Sequence, residues 1–168
     1  RDNLDDIYIM SMPPDSPALE DAVFMDNPLV LIAARGTFAK TSGSLHLRQL
    51  KDQRFIMREK GSGTRMAVDQ HFRAQRFTPA IRMELGSNEA IREAVAGGLG
   101  LGVISIHALH HDKAMRDIDI VRADGFPILS RWHVVHPKSR TLPPIAQAFR
   151  ESLLGTATAP TKRSRPPG

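Results

Sequence analysis

Residues 54–75 read RFIMREKGSGTRMAVDQHFRAQ, and residues 83–109 read MELGSNEAIREAVAGGLGLGVISIHAL. Each segment has the pattern of a β-strand, a loop of small residues and an α-helix, and the second continues through a double glycine into another apolar strand. Strands that alternate with helices predict an α/β fold. In a parallel sheet the loops at residues 61–64 and 86–88 would lie side by side at the carboxyl ends of the strands, where ligands bind.

The chemistry of the two loops favours an anion. The first N–H groups of a helix have no partner within the helix, and the helix dipole adds partial positive charge there. Ser62, Thr64 and Ser87 can cap their helices or offer a hydroxyl to a ligand, and the glycines of both loops allow a close approach of the backbone. Arg65, in the first helical turn, is favourable only beside a carboxylate or phosphate. Ordinary N-caps would explain the same residues, so the loops alone leave both interpretations open.

Several motifs resemble a family of transcription regulators. The segments REKGSGTR, ELGSNEAIREAVAGGLGLGVIS, FPILSRWHVVHP and LPPIAQAFRESL resemble the C-terminal effector-binding (LysR substrate-binding) domain of LysR-type transcriptional regulators, over nearly all of residues 4–154. NEAI at 88–91 and RW at 131–132 are most similar to the carbon-fixation operon branch. The resemblance implies an α/β, two-lobed, type 2 periplasmic-binding-protein-like fold that senses a metabolite and relays the signal to an N-terminal winged helix-turn-helix.

The chain departs from the family pattern at its beginning. It opens with Arg1-Asp2-Asn3-Leu4, without an initiator methionine, and enters the strand DIYIM almost at once. We find neither a helix-turn-helix nor the opening βαβα portion of the first lobe. The expectation is therefore an N-terminally truncated chain with an incomplete first lobe, and binding residues from that portion of the family cannot be carried over.

The pattern along the chain predicts three regions. The apolar run LVLIAA (29–34) has the length of a buried strand, turn signals follow within 35–53, and the next strand begins at Phe55. We expect a partial lobe I at 1–53 and 129–155 and lobe II at 54–128. Residues 156–168 are rich in Pro, Thr and Ser and carry three basic residues, which predicts a disordered basic tail. Two crossings between lobes would produce a cleft, a common place for ligands.

We expect the effector to bind in that cleft. The second lobe would contribute the two loops, the first lobe would contribute the Met10-Ser11 segment, and the return crossing would supply an opposite wall. Packing or strand-end geometry accounts for the loop residues equally well. The candidate effector-binding residues are Ser62, Gly63, Thr64, Arg65, Ser87, Asn88, Ser11, Phe126 and Pro127.

Other site chemistries have less support. The loops lack the GxxxxGK[ST] and GxGxxG patterns of nucleotide-binding proteins, and GSGTR is not the GxSxG motif of serine hydrolases. A cluster of His107, His110, His111 and Asp112 resembles a metal site, but a metal needs three or four convergent ligands, and a solvated histidine-rich segment is the favoured interpretation. We predict no catalytic residue, no metal and no cofactor.

Composition is typical of a globular protein in a reducing compartment. The chain has 168 residues, of which 41% are hydrophobic and 24% are charged. The absence of cysteine excludes disulfides and thiolate metal sites, and no apolar run reaches the ~18 residues of a membrane span. These features predict a cytoplasmic protein without membrane contact.

The function predicted from these features is effector sensing. A small anionic metabolite would bind one arrangement of the lobes better than another and bias the equilibrium between them. The resemblance further implies a dimer or tetramer that binds DNA through an N-terminal domain missing from this chain. A solute-binding protein of a transport system on the same fold is the alternative, and an enzyme of anion chemistry on a similar fold is a third hypothesis.

The charge distribution generates a first prediction. The net charge is +5, of which the tail supplies +3 through Lys162, Arg163 and Arg165. We expect the 168-residue chain to bind duplex DNA weakly, without sequence preference and with strong salt sensitivity, because only the tail clusters positive charge. Gel shifts at increasing salt measure this. Operator-specific binding at physiological salt would show that DNA reading resides in this chain.

Overall fold

A computed structural model describes residues 6–109 and 115–157. Two short 3-10 turns, at Leu47–Leu50 and Ile106–Leu109, accompany the main elements. Contacts divide the chain into two units: Asn27–Ser130 forms the second unit, and the residues on either side of it form the first. In chain order the elements are β1 (Tyr8–Met10), β2 (Leu19–Asp26), β3 (Leu29–Ala34), β4 (Arg54–Arg58), α1 (Gly63–Ala74), β5 (Ala80–Leu85), α2 (Asn88–Ala96), β6 (Leu101–Ser105), β7 (Ile118–Ile120), β8 (Arg131–Pro137) and α3 (Pro144–Ala157).

The second unit is built on a five-stranded sheet in the order β5-β4-β6-β3-β7. Strand β4 runs parallel to both β5 and β6, whereas β3 runs antiparallel to β6 and β7. The predicted strand–loop–helix segments occupy the parallel half, with α1 after β4 and α2 after β5. The sheet is therefore mixed, and its parallel half is the part that the alternating pattern predicted.

Side-chain alternation along the strands separates two apolar layers. Phe55 and Met57 of β4 pack with Val68 and Phe72 of α1. Ile56, between them, belongs to the other cluster, which includes residues of α2. Because neighbouring residues of a strand point to opposite faces, the two helices cover opposite faces of the sheet. Each fully buried side chain of this size contributes about 1.5–3 kcal/mol.

The division between units corrects the expected domain boundary. Strand β3, expected in lobe I, pairs with β6 from Leu29 opposite Ser105 to Ile32 opposite Gly102, so it belongs to the second unit. The outward crossing lies after Asp26 rather than near residue 53, and the return lies after Ser130, close to the expected 128. An apolar run reports that a strand is buried, but it carries no information about which strand pairs with it.

The two ends of the second unit are joined by backbone hydrogen bonds. The Asn27 N–H donates to the Ser130 carbonyl at 2.8 Å, and Leu29 and Ile128 exchange two bonds of 2.9 Å. In the first unit, the pairing of β2 with β8 ends with Asp26 opposite Arg131. The outgoing segment at 26–29 and the returning segment at 128–131 are therefore paired with each other along their length.

The first unit contains a three-stranded antiparallel sheet in the order β1-β8-β2, with α3 in contact with β2. Strand β2 was not predicted; its LEDAVFMD sequence does not alternate regularly between apolar and charged residues, and a bulge lies between Val23 and Met25. On α3, Ile145 and Phe149 lie four residues apart and remain 83% and 49% exposed, so these two side chains form no buried face in this unit. The helix extends to Ala157, past the expected start of the tail, and the remainder of that tail lies outside the described residues.

Close packing of α2 on β6 generates a second prediction. A Cβ added at Gly102 would lie 2.6 Å from Ile91 Cγ2 and 3.0 Å from Val95 Cγ2. We expect Gly102→Ala to lower the free energy of unfolding by about 1–3 kcal/mol through overpacking. Denaturant unfolding measures the change. Gly86→Ala is the matched control, because no atom lies within 4 Å of its added Cβ; equal stability of the two variants would contradict this packing.

Candidate ligand site

The two glycine loops begin at neighbouring strand ends. The parallel register places Arg58, the last residue of β4, opposite Leu85, the last residue of β5. Just beyond, the Glu59 N–H donates to the Leu85 carbonyl at 3.1 Å. The chain leaving β4 therefore lies beside the end of β5, and both helices start from the same edge of the sheet, as the sequence predicted.

Both loop serines cap their helices. Ser62 Oγ accepts from the Arg65 N–H at 3.4 Å, and Ser87 Oγ accepts from the Ala90 N–H at 3.1 Å. Gly61 has φ +95°, a left-handed conformation that favours glycine, and Gly63 is the first residue of α1. Capping is thus the structural role of both serines. Each hydroxyl hydrogen and the other N–H groups of the first turn remain available for a further bond.

Two polar side chains in the first helical turns have unused bonding capacity. Thr64 is only 8% exposed, and we find no hydrogen bond of its side chain within the part of the chain that the structure describes. At the start of α2, Asn88 Oδ1 is buried without a hydrogen-bond partner in those same ranges. Buried polar groups are nearly always paired, and exchange of the amide O and N positions would make Asn88 a donor here. These side chains are the part of the loops best suited to bind a ligand.

Arg65, predicted to contact the ligand, makes three contacts within the protein. Its Nε donates to Asp69 Oδ2 at 2.9 Å, and its Nη1 donates to Glu84 Oε1 and to the Arg58 carbonyl, each at 2.8 Å. Burial by itself lowers the pKa of Arg65, but the hydrogen bonds to Glu84 and Asp69 outweigh burial and raise it. The expected carboxylate partner of this arginine is therefore supplied by the protein itself.

Phe126 and Pro127 lie elsewhere in the second unit. They line a concavity of about 290 Å³ that also includes Arg122 and strand β7, whereas the loops follow β4 and β5. The Phe126 ring packs on His71 with centroids 5.2 Å apart, about two turns along α1 from Thr64. No described contact joins Phe126 or Pro127 to the loops. Ser11 follows β1 and belongs to the first unit.

His71 is a half-buried group that the sequence did not single out. Its Nε2 is buried without a partner among the described residues, and burial lowers the pKa of His71. A Cβ added at Gly125 would lie 2.4 Å from the His71 ring, which together with φ +76° requires glycine there. This contact joins distant parts of the chain, so no local pattern could have shown it.

Within residues 6–109 and 115–157, no group of three or more His, Cys, Asp or Glu side chains could hold a metal ion. Of the histidine cluster considered from the sequence, His110, His111 and Asp112 lie outside those ranges. In the same ranges, no helix is both long enough and apolar enough to cross a bilayer.

The Arg65 contacts generate a third prediction. We expect Arg65→Met, which preserves the apolar stem, to lower the free energy of unfolding by about 1–3 kcal/mol, because it leaves Asp69, Glu84 and a carbonyl without their donor. Thermal and denaturant unfolding measure the loss. Arg92→Met is the control, since among the described residues Arg92 pairs only with exposed Glu93, and such pairs contribute about 0–1 kcal/mol. An Arg65→Met chain as stable as the control would contradict the structural role.

Comparison with known proteins identifies the family. A family model described as the LysR substrate binding domain matches residues 1–158. The chain is 38% identical over 151 residues to the HTH-type transcriptional activator CmpR of Synechocystis sp., covering 90% of this chain and 50% of that protein. It is 36% identical over 155 residues to a RuBisCO operon transcriptional regulator of Acidithiobacillus ferrooxidans, covering 92% and 50%. The chain thus spans about half the length of the curated relatives it matches.

A solved structure supports the same assignment. The regulatory domain of Synechocystis PCC6803 CcmR, in complex with 2-PG, is 42% identical and has a TM-score of 0.84, covering 93% of this chain and 75% of that one. This likeness confirms the predicted periplasmic-binding-protein-like α/β fold, and the relatives confirm the predicted carbon-fixation branch. The chain belongs to the LysR substrate-binding-domain family, as the motifs of its two glycine loops had indicated.

Proposed function

We propose that this chain is the effector-sensing part of a LysR-type transcriptional regulator and that it binds a small anionic metabolite at residues 61–64 and 86–88. One observation carries the proposal. The helices α1 and α2 start from adjacent ends of parallel strands, coupled by the hydrogen bond from Glu59 N–H to the Leu85 carbonyl. Two helix N-termini at one edge direct N–H groups and positive dipole ends toward the same region.

The charge of the second unit favours an anion. Residues 27–130 contain 15 Lys and Arg against 10 Asp and Glu, a net charge of about +5, and a positive field raises the local concentration of anions. Arg65 is already paired with Asp69 and Glu84. The contacts to the ligand therefore come from backbone N–H groups and from Thr64 and Asn88 rather than from a guanidinium.

The ligand of a relative supports a more specific class. The CcmR regulatory domain was solved with 2-PG, identified as 2-phosphoglycolate, which carries a phosphate and a carboxylate. Two helix N-termini suit a ligand with two anionic groups, since each terminus accommodates one. We propose that the effector of this chain is a phosphorylated carboxylate or a dicarboxylate of similar size.

Sensing requires that the ligand bind two conformations unequally. A ligand shifts an equilibrium only by its difference in affinity for the two states, and coupling between sites is typically about 1–3 kcal/mol. In the complete regulator this difference would reach DNA through a segment outside this chain, in a cytoplasmic dimer or tetramer. The ligand is released unchanged, so the proposal includes no catalytic role. A transport protein on the same fold is not favoured, because the curated relatives are transcriptional regulators.

Loss of the Thr64 hydroxyl generates a fourth prediction. Thr64→Val keeps the shape of the side chain and removes its donor, so we expect 2-phosphoglycolate to bind about 1–3 kcal/mol more weakly, the cost of a lost hydrogen bond to a charged group. Titration calorimetry on the full gene product measures the affinity. Glycolate and inorganic phosphate, each with one half of the ligand, should both bind more weakly than 2-phosphoglycolate.

Thr78→Val is the matched control, because Thr78 is an exposed threonine beyond the end of α1. It should leave the affinity within about twofold of the original, as expected for a surface substitution. Unchanged affinity in Thr64→Val would limit Thr64 to a role in helix structure. Binding of none of the three compounds would contradict the proposed class of effector.

A further inference from the structure

A cavity lies along one edge of the five-stranded sheet, and it shares Ile120, Val121 and Arg122 with the concavity that Phe126 lines. Strand β7 forms this edge, and β5, with the glycine loop after it, forms the opposite one. The cavity has a volume of about 580 Å³, within the range of about 300–1,000 Å³ that small-molecule sites occupy. We call it the edge cavity. Its lining includes Ala33, Arg35, Phe38, Leu45, Ile118 and Arg122.

The wall of the edge cavity is a loop fixed at both ends. At its start, the Gly36 N–H donates to Asp119 Oδ2 at 2.8 Å. At its end, Ser44 Oγ donates to Asp124 Oδ1 at 3.0 Å, and the His46 ring bonds the other oxygen of the same carboxylate. The hydrogen bonds from His46 and Ser44 lower the pKa of Asp124, so this carboxylate stays ionised at neutral pH. The loop after β3 is thus held in place, and the cavity beneath it is formed in advance.

The floor of the edge cavity belongs to the hydrophobic core. Ala33 and Leu45 are 1% and 5% exposed and belong to one apolar cluster, against which the half-buried Phe38 ring packs from the loop. Ile118 belongs to the cluster on the opposite face of the sheet. Core side chains are closely packed and keep a defined shape. The cavity therefore offers a fixed apolar surface that suits the body of a small organic molecule.

The polar lining carries more positive than negative charge. Arg35 donates to the main-chain carbonyls of Met115 and Ile118, and no acidic partner of it is found in the described ranges. Arg122 makes no side-chain hydrogen bond or ion pair within residues 6–109 and 115–157; it is exposed and lines the cavity. Among the described residues of the lining, the one carboxylate is that of Asp119, which already accepts the Gly36 N–H. The lining of the cavity thus offers a guanidinium suited to a carboxylate.

We propose that the edge cavity is a second ligand site, which takes a small organic anion with an apolar body. The apolar part lies against Leu45 and Phe38, and the carboxylate pairs with Arg122. The site is separate from the glycine loops by its position on the sheet, and it does not depend on the effector proposed for them.

The test is a titration of the 168-residue chain with 3-phenylpropanoate, followed by amide NMR shifts. We expect saturable shifts at Ala33, Leu45 and Val121, and binding of the neutral analogue 3-phenylpropan-1-ol at least about fivefold weaker, because it lacks the charge that Arg122 binds. Arg122→Gln should weaken 3-phenylpropanoate about five- to tenfold, the loss of one partly exposed charged contact. Arg48→Gln, at another exposed arginine of the same unit, should have no effect.

Three results would overturn the proposal: no saturable shift at the cavity amides, equal binding of the acid and the alcohol, or unchanged binding in Arg122→Gln. Thr64→Val serves as a second control. It should leave 3-phenylpropanoate binding unchanged even where it weakens 2-phosphoglycolate, so the failure of one site is distinguishable from the failure of the other.

Discussion

The second unit depends on the guanidinium of Arg65, which joins three elements at the strand ends that lead into the glycine loops. It bonds the Arg58 carbonyl at the end of β4, Glu84 near the end of β5 and Asp69 one turn further along α1. A neutral side chain could not hold two carboxylates, and a lysine lacks the planar arrangement of donors that reaches several acceptors at once. The position of α1 relative to the strand ends, and with it the shape of the candidate site, follows from this one residue.

The same ion pairs set the electrostatics of the candidate site. The guanidinium of Arg65 and the carboxylates of Asp69 and Glu84 together carry about one negative charge. They lie close to loops whose backbone N–H groups favour anions. Attraction of an anion therefore comes from the helix termini and from the excess of basic residues in the second unit. The carboxylates of Asp69 and Glu84 partly oppose it. A sensor benefits from this balance, because it must release its ligand when the concentration falls, and tight binding would hold it in one state.

Local features of the second unit were accessible from the sequence, and long-range partners were not. Ser62 and Ser87 indicate the starts of α1 and α2 in the sequence, because an N-cap bonds a residue only three positions away. The partner of β3 was misassigned because burial does not specify pairing. Arg65 was assigned to the ligand because Glu84, which neutralises it, lies on another strand. Phe126 was expected on the wall opposite the loops, at the return crossing, and its ring packs on the second half of α1.

The pairing of the two crossing segments gives the second unit the connectivity of an inserted domain. Because Asn27 and Ser130 are hydrogen-bonded to each other, the second unit begins and ends at one point. Strands β2 and β8, already paired up to Asp26 and Arg131, would form a plain β-hairpin if a short turn replaced everything between them. The second unit therefore has the connectivity of a domain inserted into a hairpin loop, and such insertions are tolerated where the ends of the insert are close together. Its length adds little to the entropy of closing that loop, since this cost grows only with the logarithm of loop length.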